Sequence, residues 1–367
     1  MSSANNLVNP AVSASGEVDT LLIEKFDGQV KRAYKEKLGM MSYFDLKEVK
    51  GTNSVSNKYM GTVQVQGLAP GKDVKGTSAE FDKNQLVIDT VVIGRNNVGL
   101  LADVQDDIMT KGKLAEEQVD ALVYMEDRML VQQAAYGAIM NTQAKRTKPR
   151  VRGHGFSIDV QLKAANTVYP NYILASIEYV LEQMLTQNVP IEKLACMMPW
   201  KYFNGLRDAE RIINATYTTA SGATINGFVL KSYNLPIIPT NQMPNKNRDH
   251  LDIDGNVATN HLLSNAANGY RYNVIDSGVD TMADIVGVLF GTEGLMVGRS
   301  IELQGKIFFS DLNKTWYIDS WLSEGAIPDR WEQLGIARVT TAATDNTEVT
   351  ARANRKVIPT TTAAITP

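Results

Sequence analysis

The stretch KLAEEQVDALVYMEDRMLVQQAAYGAIMNTQA, from Lys113 to Ala144, decides the fold of this chain. It holds no Pro, its one Gly comes late, and Ala, Leu, Met, Gln and Glu dominate, so its composition favours a helix. At about 1.5 Å per residue the helix would run over about 40 Å. Its apolar residues recur at steps of three and four, which predicts one apolar stripe made of Val119, Leu122, Val123, Met129, Leu130, Ala134, Ala138 and Ile139.

Composition excludes several classes of protein. The 367 residues suffice for two or three subregions with a sizeable core. The net charge of −3 provides no overall field that would recruit nucleic acid or an anionic membrane. The single cysteine, Cys196, excludes an intramolecular disulfide framework and fits a reducing compartment. The first residues lack the pattern of a signal peptide and no apolar run is long enough to span a membrane, so we expect folding in a cytoplasm.

Residues 51–93 are predicted to form a long two-stranded β ribbon. Tyr59 to Gln66 alternates apolar and polar residues, and Gln85 to Ile93 is rich in β-branched residues, so each is predicted to be a strand. Between them, Pro70-Gly71 suits the central positions of a type II turn. Such a ribbon buries too little surface to be stable alone, so we expect it to lie on another subunit.

The remaining segments are predicted to alternate between helix and strand, and from Thr340 the Thr/Ala-rich composition is typical of a tail. The predicted elements are a helix over 17–38, a turn at Asn96-Asn97, a helix over 172–186, a strand over 194–198, a helix beginning at Pro199, a strand–turn–strand over 224–238 with its turn at Asn226-Gly227, a surface loop over 239–272, and strands over 284–290, 301–303, 306–309, 316–322 and 336–339.

A basic cluster follows the long helix. It contains five bases in eight residues: Lys145, Arg146, Lys148, Arg150 and Arg152. Such a cluster fits contact with DNA phosphates. It lacks the interleaved aromatic residues that stack on bases, and a solvated loop after a helix explains it equally well. Both interpretations stay open.

No catalytic or metal-binding constellation is recognisable. The three histidines, His154, His250 and His261, form no HExxH pattern, and Cys196 has no CxxC partner. The stretch from His250 to His261 matches an EF-hand loop only at its central positions and lacks the first acid and the final Glu. No phosphate-binding or nucleophile-elbow motif occurs either. We therefore predict a structural protein with no enzymatic activity, cofactor or metal.

The order of these parts resembles the Hong Kong 97-type major capsid proteins of tailed bacteriophages, and within them those of short-tailed, podovirus-type phages. The resemblance covers about residues 20–340, and its motifs are weak one by one but occur in the family's order and spacing. They are Gly67-Leu68-Ala69-Pro70-Gly71-Lys72, Leu86-Val87-Ile88-Asp89, the segment from Leu101 to Met109, Met198-Pro199-Trp200-Lys201-Tyr202, Ile225 to Leu230 and Val286 to Phe290.

The resemblance implies an α+β fold with the divisions of a capsid subunit. These are an N-terminal arm and helix (1–50), an extended β loop (51–93), a peripheral domain (94–170) with the spine helix 113–144, an α/β axial domain (171–299), return strands of the peripheral domain (300–345) and a C-terminal tail (346–367). In the extended loop it implies an inter-subunit contact made by Val63, Val65, Leu68, Ala69, Pro70, Gly71 and Lys72.

The implied function is self-assembly into an icosahedral shell that encloses the double-stranded DNA of a phage, without sequence readout. Implied partners are other copies of the chain in hexamers and pentamers, a scaffolding protein, a portal protein at one vertex and, in some shells, a decoration protein. The resemblance does not imply contact with a membrane. The implied location is the virion, after assembly in the bacterial cytoplasm. Two alternatives stay open: an encapsulin-like compartment shell of the same fold, and a soluble enzyme with an unrecognised site.

Overall fold

The computed structural model describes residues 40–61, 63, 65–73, 76, 79–101, 110–145, 153–160, 169–218, 224–244, 260–275, 281–282, 284–339 and 346–355. The helix predicted over 17–38 lies outside them. The described helices are α1 (Thr110–Met140), α2 (Tyr169–Thr186), α3 (Trp200–Asp208) and α4 (Thr347–Arg355). The described strands are β1 (Leu46–Glu48), β2 (Ser54–Met60), β3 (Phe81–Val87), β4 (Val92–Gly99), β5 (Phe156–Val160), β6 (Leu194–Pro199), β7 (Ile212–Thr218), β8 (Thr224–Leu230), β9 (Leu235–Thr240), β10 (Ile285–Gly291), β11 (Leu295–Ser310), β12 (Thr315–Pro328) and β13 (Leu334–Val339).

Helix α1 confirms the predicted spine, at slightly earlier bounds. In its first half the apolar stripe is buried while Glu116, Glu117 and Tyr124 are exposed. Its second half departs from the single stripe, because every residue from Met129 to Ala135 is buried. The helix contacts β4 and β12 on one sheet and β10 and β13 on another, so its later turns are enclosed on all sides.

The first sheet has four strands in the order β1-β11-β12-β4. Strands β11 and β12 form a long antiparallel hairpin, β4 is antiparallel to β12, and β1 is parallel to β11. The short strands predicted over 301–303 and 306–309 are one continuous strand, because Gly305 pairs with Ser320 and the ladder shifts register only between Arg299 and Gln304. The predicted domain division at residue 300 therefore cuts through β11.

The second sheet has seven strands in the order β5-β13-β10-β6-β9-β8-β7. The interior strand β10 is buried along its whole length, and helix α2 covers one face of the sheet through residues such as Ile177 and Leu181. The predicted helix over 172–186 and the predicted strands over 194–198, 284–290 and 336–339 are confirmed within a few residues. Helix α3 begins at Trp200, one residue after the predicted start, and Pro199 occupies the N-cap position without a side-chain capping hydrogen bond.

Two predicted turns are wrong because strand pairing overrides local turn propensity. Asn96-Asn97 lies within β4 and pairs with Ile318 and Tyr317 of β12. Asn226-Gly227 lies within β8 and pairs with Thr216 and Ala215 of β7. The chain instead reverses after Leu230, where Asn234 adopts a φ of 55°, a left-handed conformation that Asn tolerates better than most residues.

The predicted limits of the ribbon strands are also wrong. Strand β2 ends at Met60, so most of the alternating segment 59–66 lies beyond the ladder. Strand β3 ends at Val87, and Ile93 belongs to β4 in the four-stranded sheet. Alternation of apolar residues predicted the extended backbone but not which residues would find a partner strand.

Two segments predicted as loop or tail contribute to the core. In the segment 239–272, Tyr272 is buried, and its hydroxyl donates to the Ala326 carbonyl (2.9 Å) and accepts from the Ala326 N–H (3.1 Å). In the tail predicted over 346–367, residues Thr347–Arg355 form α4, which buries Val349 and Ala353 against α2. The amide oxygen of Asn346 accepts from the Glu348 N–H (3.0 Å) and so caps this helix.

Replacing Gly137 in α1 by Ala is expected to destabilise the protein. An added Cβ would lie 2.5 Å from Leu334 Cδ1 and 2.7 Å from Pro328 Cβ. Overpacking costs about 1–3 kcal/mol, which exceeds the gain of up to about 1 kcal/mol from replacing a helical Gly. We expect urea denaturation to show a net loss of about 1–2 kcal/mol.

The matched control is Gly99→Ala, because nothing lies within 4 Å of a Cβ at Gly99. Its free energy of unfolding should stay within about 0.5 kcal/mol of the parent protein. Equal stability of the two variants would contradict the tight packing assigned to Gly137.

Candidate assembly surfaces

The root of the β2–β3 ribbon is held to the body of the subunit by one carboxylate. Asn57 and Asn84 face each other across the ladder. Asn57 Nδ2 donates to Asp329 Oδ2 (2.6 Å), and Asn84 Nδ2 donates to Asp329 Oδ1 (2.9 Å) and to the Pro328 carbonyl (2.9 Å). Asp329 is buried. This root latch, formed by Asn57, Asn84 and Asp329, joins both strands of the ribbon to the end of β12.

A small apolar cluster supports the same root. Leu86 and Ile88 pack with Val49 and Met296, and all four are buried. Room for Leu86 comes from Gly298 on β11, where an added Cβ would lie 3.0 Å from Leu86 Cδ2. The ribbon is therefore fixed at its root by packing within its own subunit.

Beyond the last ladder pair, Met60–Phe81, the ribbon exposes apolar side chains. Val63 is 74% exposed, Val65 97% and Leu68 73%, and none of the described residues from Gly61 to Ala69 lies in a strand. The predicted turn is present: the Lys72 N–H donates to the Ala69 carbonyl (3.1 Å), and Gly71 has the positive φ (78°) that a type II turn requires. The seven residues predicted for inter-subunit contact are thus all exposed in a single copy.

Of the predicted basic cluster, only Lys145 lies within the described residues. Its ammonium group donates to the Ile139 carbonyl (3.2 Å) near the C-terminal end of α1, where the helix dipole favours a positive charge. Arg146, Lys148, Arg150 and Arg152 lie outside the described residues, so contact of the cluster with DNA remains a prediction.

A buried ion cluster, not predicted from the sequence, joins the spine helix to the four-stranded sheet. Arg299 Nη2 on β11 lies 2.8 Å from Glu126 Oε1 on α1 and 2.8 Å from Glu324 Oε2 on β12. All three side chains are at least nine-tenths buried. A sequence signal existed, because Glu126 falls on the apolar stripe, three residues after Val123 and four before Leu130. An acid at such a position indicates a buried partner.

Asp127, next to this cluster, is partly buried, and its Oδ1 accepts the Met40 N–H (2.8 Å). Burial raises the pKa of the Asp127 carboxyl, and the charge of Glu324 raises it further, while the hydrogen bond from Met40 opposes the shift. A second polar network lies nearer the start of α1: Gln118 Nε2 donates to Asn96 Oδ1 (2.7 Å), and Gln118 Oε1 accepts from the Ser320 hydroxyl (2.7 Å).

A groove of about 440 Å³ lies between α1 and strand β4. Val92 and Ile93 line it from the strand, Leu122 and Met125 from the helix, and Leu262 from the segment 260–275. Strand β4 is the last strand of its sheet, so the groove borders a sheet edge. Two arginines at its margin are engaged within the subunit: Arg95 forms two hydrogen bonds to Asp319 (2.6 and 2.7 Å), and Arg128 donates to Gln242 (2.6 Å).

Cys196 and the described histidines, the candidates for catalysis or metal binding, are accounted for by burial, hydrogen bonding and ring stacking. Burial raises the pKa of the Cys196 thiol to about 12. The backbone N–H of His154 donates to Gln187 Oε1 (3.1 Å), and the His261 ring stacks on the Tyr272 ring at a centroid distance of 5.9 Å. His250 lies outside the described residues. Among the described residues, no group of three or more His, Cys, Asp or Glu is placed to hold a metal ion, and no helix is long and apolar enough to cross a membrane.

Comparison with solved structures identifies the fold. The capsid of cyanophage P-SCSP1u superposes with a TM-score of 0.60 at 15% identity, over 82% of this chain and 87% of that one. The mature capsid of bacteriophage PhiM1 superposes with a TM-score of 0.61 at 14% identity, over 81% and 85%. No protein-family model and no curated protein matches the sequence. The predicted α+β, Hong Kong 97-type capsid fold is thereby confirmed.

Replacing Asp329 by Asn should weaken the root latch. An amide presents one acceptor oxygen where the carboxylate presents one to Asn57 and another to Asn84, so one of these partly buried donors loses its hydrogen bond to residue 329. We expect a loss of about 1–3 kcal/mol in the free energy of unfolding, with faster hydrogen exchange of amides in β2 and β3. Asp208→Asn, at an exposed position on α3, is the control. Unchanged exchange in β2 and β3 would rule out the latch.

Replacing Asp127 by Asn should stabilise the protein increasingly as the pH rises. A carboxyl whose pKa is raised on folding stabilises the fold below its unfolded pKa, and this contribution is lost as the pH rises through the folded pKa. Asn keeps an oxygen acceptor for the Met40 N–H but never ionises. Its advantage should vanish below the ordinary value of 3.8 and reach its full size above the raised pKa.

Urea denaturation over a pH series would measure this difference, with the exposed substitution Asp311→Asn as the control. A difference between Asp127→Asn and the parent protein that does not change with pH would contradict the assignment.

Proposed function

We propose that this protein is a major capsid protein, which assembles into the icosahedral shell that encloses the double-stranded DNA genome of a tailed phage with a short tail. The observation that carries the proposal is the ribbon: it is firmly rooted in its own subunit, yet its far end exposes Val63, Val65 and Leu68. The fold shared with two phage capsids supports the same conclusion.

Assembly would bury the apolar side chains that are exposed at the end of the ribbon in a single copy. Contiguous exposed apolar side chains, rimmed by polar ones, mark protein interaction sites. A contact between two different surfaces of identical chains repeats from copy to copy and closes when the rotation permits. We infer that each ribbon lies over a neighbouring subunit, and that residues 171–299 form the axial domain that meets at the centres of hexamers and pentamers.

The interior of the shell would meet DNA without reading its sequence. With a net charge of −3, the chain as a whole does not attract DNA, so phosphate contact would have to come from a local basic segment. We assign that role to Lys145, Arg146, Lys148, Arg150 and Arg152 as part of the proposal. A scaffolding protein during assembly in the bacterial cytoplasm, a portal protein at one vertex and, in some shells, a decoration protein complete the proposed partners. No catalytic role is proposed.

Electron microscopy of the purified protein tests the proposal. Closed shells with five-fold vertices, containing DNA when isolated from infected cells, are the expected result. Shells that contain protein cargo and no DNA would favour the cellular compartment alternative. A monodisperse small species under all conditions, with a scaffolding protein coexpressed, would reject a shell function.

A charge at the end of the ribbon should block assembly without unfolding the subunit. Burying one Val in an interface contributes about 1.5–3 kcal/mol, which Val65→Asp would remove and replace by the desolvation of a carboxylate. We expect Val65→Asp to sediment as unassembled subunits, with an unchanged circular dichroism spectrum, because Val65 makes no buried contact in one copy.

The matched control is Gln66→Asp, because Gln66 is also exposed and in an extended segment its side chain points to the opposite face. This variant should still form shells. Shells from Val65→Asp in parental yield would contradict the role of the ribbon end in subunit contact.

A further inference from the structure

The loop from Asn260 to Ile275 presents the side chain of Tyr270 on a strained backbone. Tyr270 has a φ of 55°, and it is the one aromatic residue with a positive φ among the described residues. This left-handed region is uncommon for residues other than Gly, and a bulky side chain there is a genuine outlier. Such a conformation costs free energy and persists only where the surrounding structure holds it.

The hydrogen bonds of the turn account for the conformation of Gly269 but not for that of Tyr270. The Tyr270 N–H donates to the Asn265 carbonyl (3.1 Å), and the Gly269 N–H donates to the Ala266 carbonyl (3.3 Å). This pair of bonds is typical of a turn that ends with a left-handed Gly, and Gly269 has a φ of 64°. The turn does not require a positive φ at the next residue, where Gly or Asn would avoid the cost.

Side-chain hydrogen bonds on both sides of Tyr270 hold the loop in this shape. Before it, Asn265 and Asn268 each accept the other's backbone N–H through the side-chain oxygen, at 3.0 and 3.1 Å. After it, Gln132 Nε2 on α1 donates to the Arg271 carbonyl (3.1 Å). The Tyr270 side chain is nevertheless 48% exposed, so the strain does not serve to place this ring in the core of its own subunit.

The surface around Tyr270 suits a protein partner better than DNA. Between Asn260 and Ile275 the one charged side chain is that of Arg271. Asn265 Nδ2 donates to Asp89 Oδ2 (2.8 Å), so an acidic residue lies beside the loop. These two opposite charges leave no net charge to attract phosphates. Tyr, in contrast, is enriched among the anchor residues that dominate protein interfaces.

A second copy of the chain is the partner that fits the position of the loop. Asp89, to which Asn265 is bonded, lies two residues after the end of β3, so the loop borders the segment that leads out of the ribbon. Val91 on that segment is 52% exposed and Leu262 in the loop 36%, so further apolar side chains are exposed near the loop. A contact between copies that includes the ribbon would therefore extend to this loop.

We propose that Tyr270 anchors a contact between two copies of this chain, with its ring buried in the surface of the neighbouring copy. The proposal rests on the proposed shell function and adds to it a contact residue outside the ribbon. In the shell, burial of the ring offsets the strain that the left-handed backbone carries in a single copy.

The substitution Tyr270→Asn separates the strain from the contact. Asn tolerates a φ of 55° better than Tyr does, so we expect a higher urea midpoint for the isolated subunit. Loss of the ring should raise, by about tenfold or more, the protein concentration at which shells begin to form. The matched control is Glu210→Asn, at an exposed residue with a φ of 57°. Its urea midpoint should rise in the same way, and it should form shells at the parental concentration.

A lower urea midpoint for Tyr270→Asn would show that the ring stabilises its own subunit, which would overturn the proposal. Shell formation by Tyr270→Asn at the parental concentration, or an equal loss of shells from Glu210→Asn, would overturn it too and would leave the shell function standing. Failure of the parent chain to form shells would instead overturn the proposed function itself.

A photoreactive residue identifies the partner. Replacing Tyr270 by p-benzoylphenylalanine in the full chain keeps an aromatic ring at this exposed position. Irradiated shells are expected to yield covalent dimers of the chain, and irradiated dilute subunits none. Crosslinks to DNA alone, or to a scaffolding or decoration protein alone, would refute the assignment to a second copy.

Discussion

The ion cluster of Arg299, Glu126 and Glu324 is the interaction on which the rest of the subunit depends. It ties the spine helix to both strands of the long hairpin, and the same hairpin bears the root of the ribbon. Desolvating these charges is costly, and removing one partner of such a cluster typically costs about 3–5 kcal/mol. The net contribution of such a cluster to stability is therefore small. Its effect is to fix the position of the helix, because only one placement of α1 brings Glu126 to Arg299.

The subunit separates its charged and apolar surfaces in a way that suits repeated contact. Charges that could disturb an interface are engaged within the body, as with Arg95 and Asp319. The ribbon end from Gly61 to Gly71 carries none. In the proposed shell, a contact built from neutral backbone and valines would be weakly affected by salt.

Local chemistry made part of this structure predictable. The spine helix follows from composition and periodicity, and the turn at Pro70-Gly71 follows from the fixed φ of Pro and the freedom of Gly. Strand pairing and the root latch were not predictable, because both depend on distant partners: Asn57 and Asp329 lie 272 positions apart. The same reason explains why Asn226-Gly227 is not a turn and why α4 was not recognised, since Val349 and Ala353 become buried only through contact with α2. The inter-subunit contact of Val63 and Val65 stays a prediction, because a single copy shows only that both side chains are exposed.

The root latch gives the ribbon the mechanics of a lever. Its fixed point is one carboxylate shared by two amides at the middle of the ladder, and its arm extends about 10 Å from there to the last ladder pair, Met60–Phe81. A tilt of about 10° at the latch displaces this last pair by roughly 2 Å. In the proposed shell, angular adjustments of that size would let identical subunits reach neighbours set at slightly different angles. One chain would then follow both the flatter and the more sharply curved parts of the shell without a change in its own core.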